Sequence, residues 1–118
     1  MTTLPDGIIV ENWTMHRITF RDDALGIAEI IEPEAAGPAH VQMYYEIVDG
    51  SKYILKSTAC QSVRLPDPRT DERTGEKVRL IVSAVVKNTY QDRNDLILPT
   101  KNIRDDSGRV IACQAFIV

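Results

Sequence analysis

The sequence predicts a single α+β domain over residues 1–118, mainly antiparallel β-sheet with one or two short helices. Three observations lead there. Short runs rich in β-branched and aromatic residues recur along the chain. The pair Asp49-Gly50 sits between two such runs, a hairpin signal. Ser83 precedes the one stretch with helical character and suits an N-cap. At 118 residues and 43% hydrophobic, the chain has the size and apolar content of one ordinary domain and needs no metal or disulfide to fold.

Taken in order, Gly7 to Val10 is a short apolar run and Met15 to Phe20 a second extended segment. Arg21 to Gly26 reads as a turn, Ile27 to Ile31 as a strand, and Glu32 to Pro38 as a loop, because two prolines and a glycine interrupt any ladder or helix. Val41 to Val48 and Lys52 to Ala59 form an antiparallel pair across Asp49-Gly50. Leu65 to Glu76 is polar and turn-rich, an exposed, mobile loop. Val78 to Val82 reads as a buried strand, and Ala84 to Tyr90 as one or two helical turns. The competing reading continues the strand through the β-branched Val85 and Val86. Leu96 to Pro99 is a short apolar stretch, Asp105 to Gly108 a tight turn, and Arg109 to Phe116 the last strand.

Composition narrows the function. No apolar run approaches the roughly 18 residues of a membrane span, and the Met1 to Asp6 start has no signal-peptide character. Two cysteines, Cys60 and Cys113, without a C-x-x-C, point to a reducing cytoplasm and to core filling. A net charge of −3 argues against a nucleic-acid polymer as partner. The charge is uneven. Residues 1–63 carry 4 basic and 9 acidic side chains, whereas residues 64–118 carry 10 and 8, including Arg64, Arg69, Arg73, Arg79, Arg93, Arg104 and Arg109. Guanidinium forks suit phosphate oxygens and stack on rings, although a solvated mixed-charge surface accounts for most single arginines.

Catalytic and cofactor signals are weak. His16 and His40 stand apart from each other and lack metal-ligand spacing, so no metal is expected. There is no G-x-S-x-G elbow, no P-loop and no dinucleotide fingerprint, so no cofactor is expected either. Asp22-Asp23 and Asp105-Asp106 fall in turns, where carboxylates accept from local backbone N–H groups. A binding reading fares better. Asn88, Tyr90, Arg93 and Asn94 supply two amides, a ring and a guanidinium where the helix ends, Arg104 and Arg109 bracket a turn, and Arg64 precedes the polar loop. A base stacked on Tyr90 and a diphosphate neutralised by arginines would use these groups. Structural alternatives exist for each: Tyr90 as an anchor of the helix end, Asn88 as its C-cap, and Arg104 bridged to Asp105 or Asp106.

Two stretches carry a resemblance. Asn12-Trp13-Thr14-Met15-His16-Arg17-Ile18 is similar to the N-[L/W]-T-x-H-x-I opening of small phage and prophage proteins. Ile81 to Val86, Asp95 to Pro99 and Ile103 to Cys113 resemble their second signature. Together these parts cover about half the chain, and it resembles the first-described class of Thoeris anti-defence proteins, phage sponges that sequester cyclic ADP-ribose-type signals. The resemblance implies a homo-oligomer in the host cytoplasm, with no membrane partner. It would bind a cyclic ADP-ribose isomer, or a cyclic oligonucleotide, without turnover. By that resemblance Arg64, Asn88, Arg104 and Arg109 contact ligand, while Tyr90 and Arg93 are added from their chemistry alone. The polar loop from Pro66 to Lys77 has no counterpart in the family pattern. A small virion structural protein without ligand is the alternative.

Overall fold

In the computed structural model, residues 1–62 and 64–118 are described, together with their side chains apart from those of residues 51 and 59–62. Nine strands and one helix follow in chain order: β1 (Thr2–Thr3), β2 (Ile9–Asn12), β3 (Ile18–Asp22), β4 (Ile27–Ile31), β5 (Val41–Val48), β6 (Ser51–Ser62), β7 (Val78–Ile81), α1 (Ala84–Thr89), β8 (Leu96–Arg104) and β9 (Val110–Ile117). The α+β, mainly β expectation therefore holds, with a single helix among the described residues. Seven strands make one sheet in the order β1-β2-β7-β8-β9-β3-β4, and β5-β6 stands as a separate two-stranded sheet. The large sheet is more mixed than expected: β2–β7, β7–β8 and β3–β9 pair in parallel, and the other pairings are antiparallel.

The parallel centre carries apolar side chains on both faces, and β7 is apolar at every position but Arg79. Register and the two-residue period divide its side chains. Ile9, Val78, Leu80 and Leu96 join Trp13 and Val86 on the face covered by α1. Val10, Ile81 and Ile97 join Phe20, Ile31 and Cys113 on the other. The sheet curls over this second core until the exit of β4 meets β2, where Pro33 bridges Asn12 in parallel.

Asn12 secures that corner. It is fully buried, and its Nδ2 donates to the carbonyls of His16 (2.7 Å) and Ile31 (2.9 Å). Its Oδ1 accepts from the N–H (2.9 Å) and the hydroxyl (2.6 Å) of Thr14. Both donor and both acceptor positions of the amide are satisfied. Asn12 and Thr14 of the N-W-T-x-H motif thus close the fold, and His16 contributes its carbonyl while its ring is exposed.

β8 runs on to Arg104, well past the expected end at Pro99. It pairs with β7 only at Leu96 and Ile97, then follows β9 from Leu98 to Arg104. Beyond Ile97 its β7 side is open, which is where a strand tolerates proline. Lys101 adopts φ 50° within the same strand.

The β5–β6 hairpin turns at Asp49 and Gly50, both at positive φ (54° and 68°), as a primed two-residue turn demands. Residues of one hairpin face, Tyr45, Ile47 and Leu55, are exposed. On the neighbouring position the Lys52 ammonium lies 5.3 Å from the Tyr53 ring. The hairpin meets the body chiefly at α1.

Ser83 caps α1 as its sequence position suggests, its hydroxyl accepting from the Val86 N–H at 3.3 Å. The loop before β7 is tied down. Its Arg69 pairs with the buried Glu11, which also accepts from the Trp13 indole at 3.2 Å, and Asp71 caps a turn at Thr74. Cys113 is core, 2% exposed. The side chain of Cys60 lies outside the described residues.

Candidate functional site

The six residues singled out from the sequence fall in three places. Tyr90 terminates α1 as its C-cap, and its half-buried ring packs against the core around Trp13 and Val86. It therefore serves as the anchor of the helix end. Asn88 lies inside the helix, exposed, and is not the cap. Arg64 is exposed on the same side of the sheet, where Nη1 donates to the Gly37 carbonyl at 3.4 Å and the next residue, Leu65, packs on the same core.

Arg93 follows the helix and turns inward. Its Nε and Nη2 donate to Oδ1 (3.0 Å) and Oδ2 (2.6 Å) of Asp95, whose side chain is 1% exposed. Such a fork fixes the guanidinium in a structural role. Nearby, Asn94 accepts from the Lys77 ammonium at 3.1 Å.

Arg104 and Arg109 occupy the far end of β8–β9. Eight residues of extended strand separate Leu96 from Arg104, on the order of 25 Å at the usual strand rise, so they do not join the α1 group within one chain. Their turn is rigid. Asp105 Oδ1 accepts from the N–H groups of Ser107 (2.9 Å) and Arg109 (3.0 Å), and the Asp105 N–H donates to the Arg109 carbonyl (2.9 Å). Arg104 Nη1 donates to the Gly108 carbonyl at 2.8 Å, not to a carboxylate, while Arg109 Nε approaches Asp105 Oδ2 at 3.3 Å. The Arg109 side chain remains 81% exposed, so that ion pair is weak and displaceable.

A cleft of about 500 Å³ opens on the face opposite α1, at the mouth of the curled sheet. Leu4, Ile97 and the stacked rings of Phe20 and Phe116 (centroids 6.0 Å apart, 17° between planes) form its apolar walls. Arg79 of β7 borders it, and its buried Nε has no hydrogen-bond acceptor among the described residues. Sequence reasoning passed over Arg79 as one basic residue among many. The available signal was its position: second in Val-Arg-Leu-Ile, a strand buried on both faces, where alternation sets it beside Ile81.

The Cys113 thiol is pushed up to about 11 by burial, so it stays protonated at neutral pH and is no nucleophile. No helix among the described residues is long and apolar enough to cross a membrane. No known protein family, curated protein or solved structure matches the chain.

Proposed function

We propose that this protein sequesters a small anionic signal of the cyclic ADP-ribose type and releases it unchanged. The observation that carries the reading is the Arg104–Arg109 turn. Two guanidiniums project from a loop already ordered by Asp105, so gripping a diphosphate there costs little loop ordering. The same turn lies within the signature that resembles the phage sponges. Arg64, Asn88 and Tyr90 lie on the α1 side, and in a homo-oligomer a neighbouring copy's turn would complete the pocket against them.

The test is calorimetric titration with a panel of cyclic ADP-ribose isomers and cyclic di- and trinucleotides, followed by denaturation and recovery of the ligand. One member binds, returns intact, and at about a hundred times its Kd stabilises the fold by about 2.7 kcal/mol. Arg104→Ala and Arg109→Ala each weaken binding about tenfold or more while leaving the melting temperature within a degree or two. Binding unchanged in both variants overturns the site, and no binding by any panel member overturns the function.

A second reading, a structural protein of a virion, is favoured by the hairpin face of Tyr45, Ile47 and Leu55, which is apolar and exposed. It predicts concentration-dependent assembly and no thermal shift with any panel member.

A further inference from the structure

We propose that the cleft at the mouth of the curled sheet is a second binding site, for a small apolar carboxylic acid with a single negative charge held at Arg79. This goes beyond the signal-binding reading and uses none of its residues.

Arg79 alternates along β7 with Val78 and Leu80, which face α1, so its stem enters the opposite face beside Ile81. Nε is buried without an acceptor, and no carboxylate of the described residues lies within ion-pairing distance of the guanidinium. Every other half-buried arginine among the described residues has a carboxylate: Arg21 has Asp23, and Arg93 has Asp95. A half-buried guanidinium whose Nε lies out of water with no acceptor is under-satisfied until an anion arrives to complete it.

The walls identify the rest of the ligand. Leu4, Ile97, Phe20 and Phe116 offer apolar surface and a ring pair, and about 500 Å³ is ample for a small organic molecule. Asp6 and Asp22 also border the cleft, each fixed by a backbone N–H, from Ile8 (3.1 Å) and Leu25 (3.2 Å) respectively. Two fixed carboxylates disfavour a second negative charge. The cleft therefore selects one carboxylate on an apolar body and rejects diphosphates, which separates it from the signal site.

The experiment titrates the full chain with 3-phenylpropionate and octanoate, with 3-phenylpropanamide as a neutral isostere and inorganic pyrophosphate as the polyanion. Calorimetry gives the affinity, and amide chemical shifts of Phe20, Arg79 and Phe116 give the location. At least one acid binds and moves these signals, the amide binds about tenfold or more weakly, and pyrophosphate leaves them unmoved. Arg79→Met removes the preference for acid over amide and melts no lower than the parent protein, since it removes a buried Nε donor that has no acceptor. Arg104→Ala leaves acid binding intact, so failure here and failure of the signal site are told apart. Binding of neither acid, equal binding of acid and amide, or unchanged acid binding in Arg79→Met overturns the proposal. If Arg79→Met does not fold, the acid-against-amide comparison on the parent protein decides alone.

Discussion

Asp95 shows how burial decides which cations remain available. A carboxylate 1% exposed needs a fixed counter-charge, and Arg93, two residues earlier, supplies both arms of the fork. Nothing in the spacing of Asn88, Tyr90 and Arg93 indicates this, because it depends on Asp95 pointing inward just before β8. Arg104 and Arg109 keep their solvent-facing character for the converse reason: their turn needs Asp105 for backbone N–H groups, leaving only an exposed contact for Arg109. Cys113 carries a pH consequence. Burial raises its thiol from 9.0 to about 11, above the unfolded value, so its contribution is full below pH 9 and is lost as pH rises through 11. Urea unfolding at pH 7 and pH 11 should show the parent protein losing about 2 kcal/mol more than Cys113→Ala over that interval. Equal losses would mean that the thiol titrates normally in the fold.

At the scale of elements, strands with strict local signals were legible. Ile27–Ile31 and Val41–Val48 coincide with their expected limits, and Asp49-Gly50 turns the hairpin. Ser83 decides between helix and continued strand, because its hydroxyl takes an N–H that a strand would present to a neighbour. What local patterning could not reveal is pairing across distance. The apolar stretch of β8 ends at Pro99, yet β9 supplies a ladder along it as far as Arg104. The parallel contacts of β2 with β7 have no local signature at all. The corner closed by Asn12 is the most vulnerable joint between elements. Asn12→Ala leaves two carbonyls and the Thr14 N–H without their partner, and chemical denaturation should show a loss of about 3 kcal/mol. A loss under 1 kcal/mol would mean that the corner is held by packing alone.

The whole molecule is less compact than its length suggests. Its radius of gyration is 16.7 Å, against roughly 13.5 Å for an ordinary domain of this size. The 56 × 41 × 23 Å extents have the same origin, the hairpin standing off the curled sheet. Two strands alone are marginally stable, so protection should be graded across the fold. Hydrogen exchange should find the amides of residues 44–57 opening at least a hundredfold faster than those of Val10, Leu80 and Ile81. Equal protection would show that the hairpin is covered in solution, the outcome that the assembly reading requires. The location of the two proposed binding regions at this scale was not legible either, since one needs the curl of the sheet and the other the length of β8.

The parallel pairing of Ile9 with Val78 and of Leu80 with Leu96 also sets a timetable for biosynthesis. On the ribosome, β2 emerges early beside the two-residue β1 but lacks its inner partner until β7 follows some 69 residues later, and β7 in turn waits for β8. The antiparallel pairs β1–β2, β3–β4 and β5–β6 join near neighbours in the chain and can form before that parallel centre, and the β5–β6 ribbon does so with its apolar face in water throughout. Nascent copies on one messenger are thereby exposed to one another at their stickiest surface before either has a core.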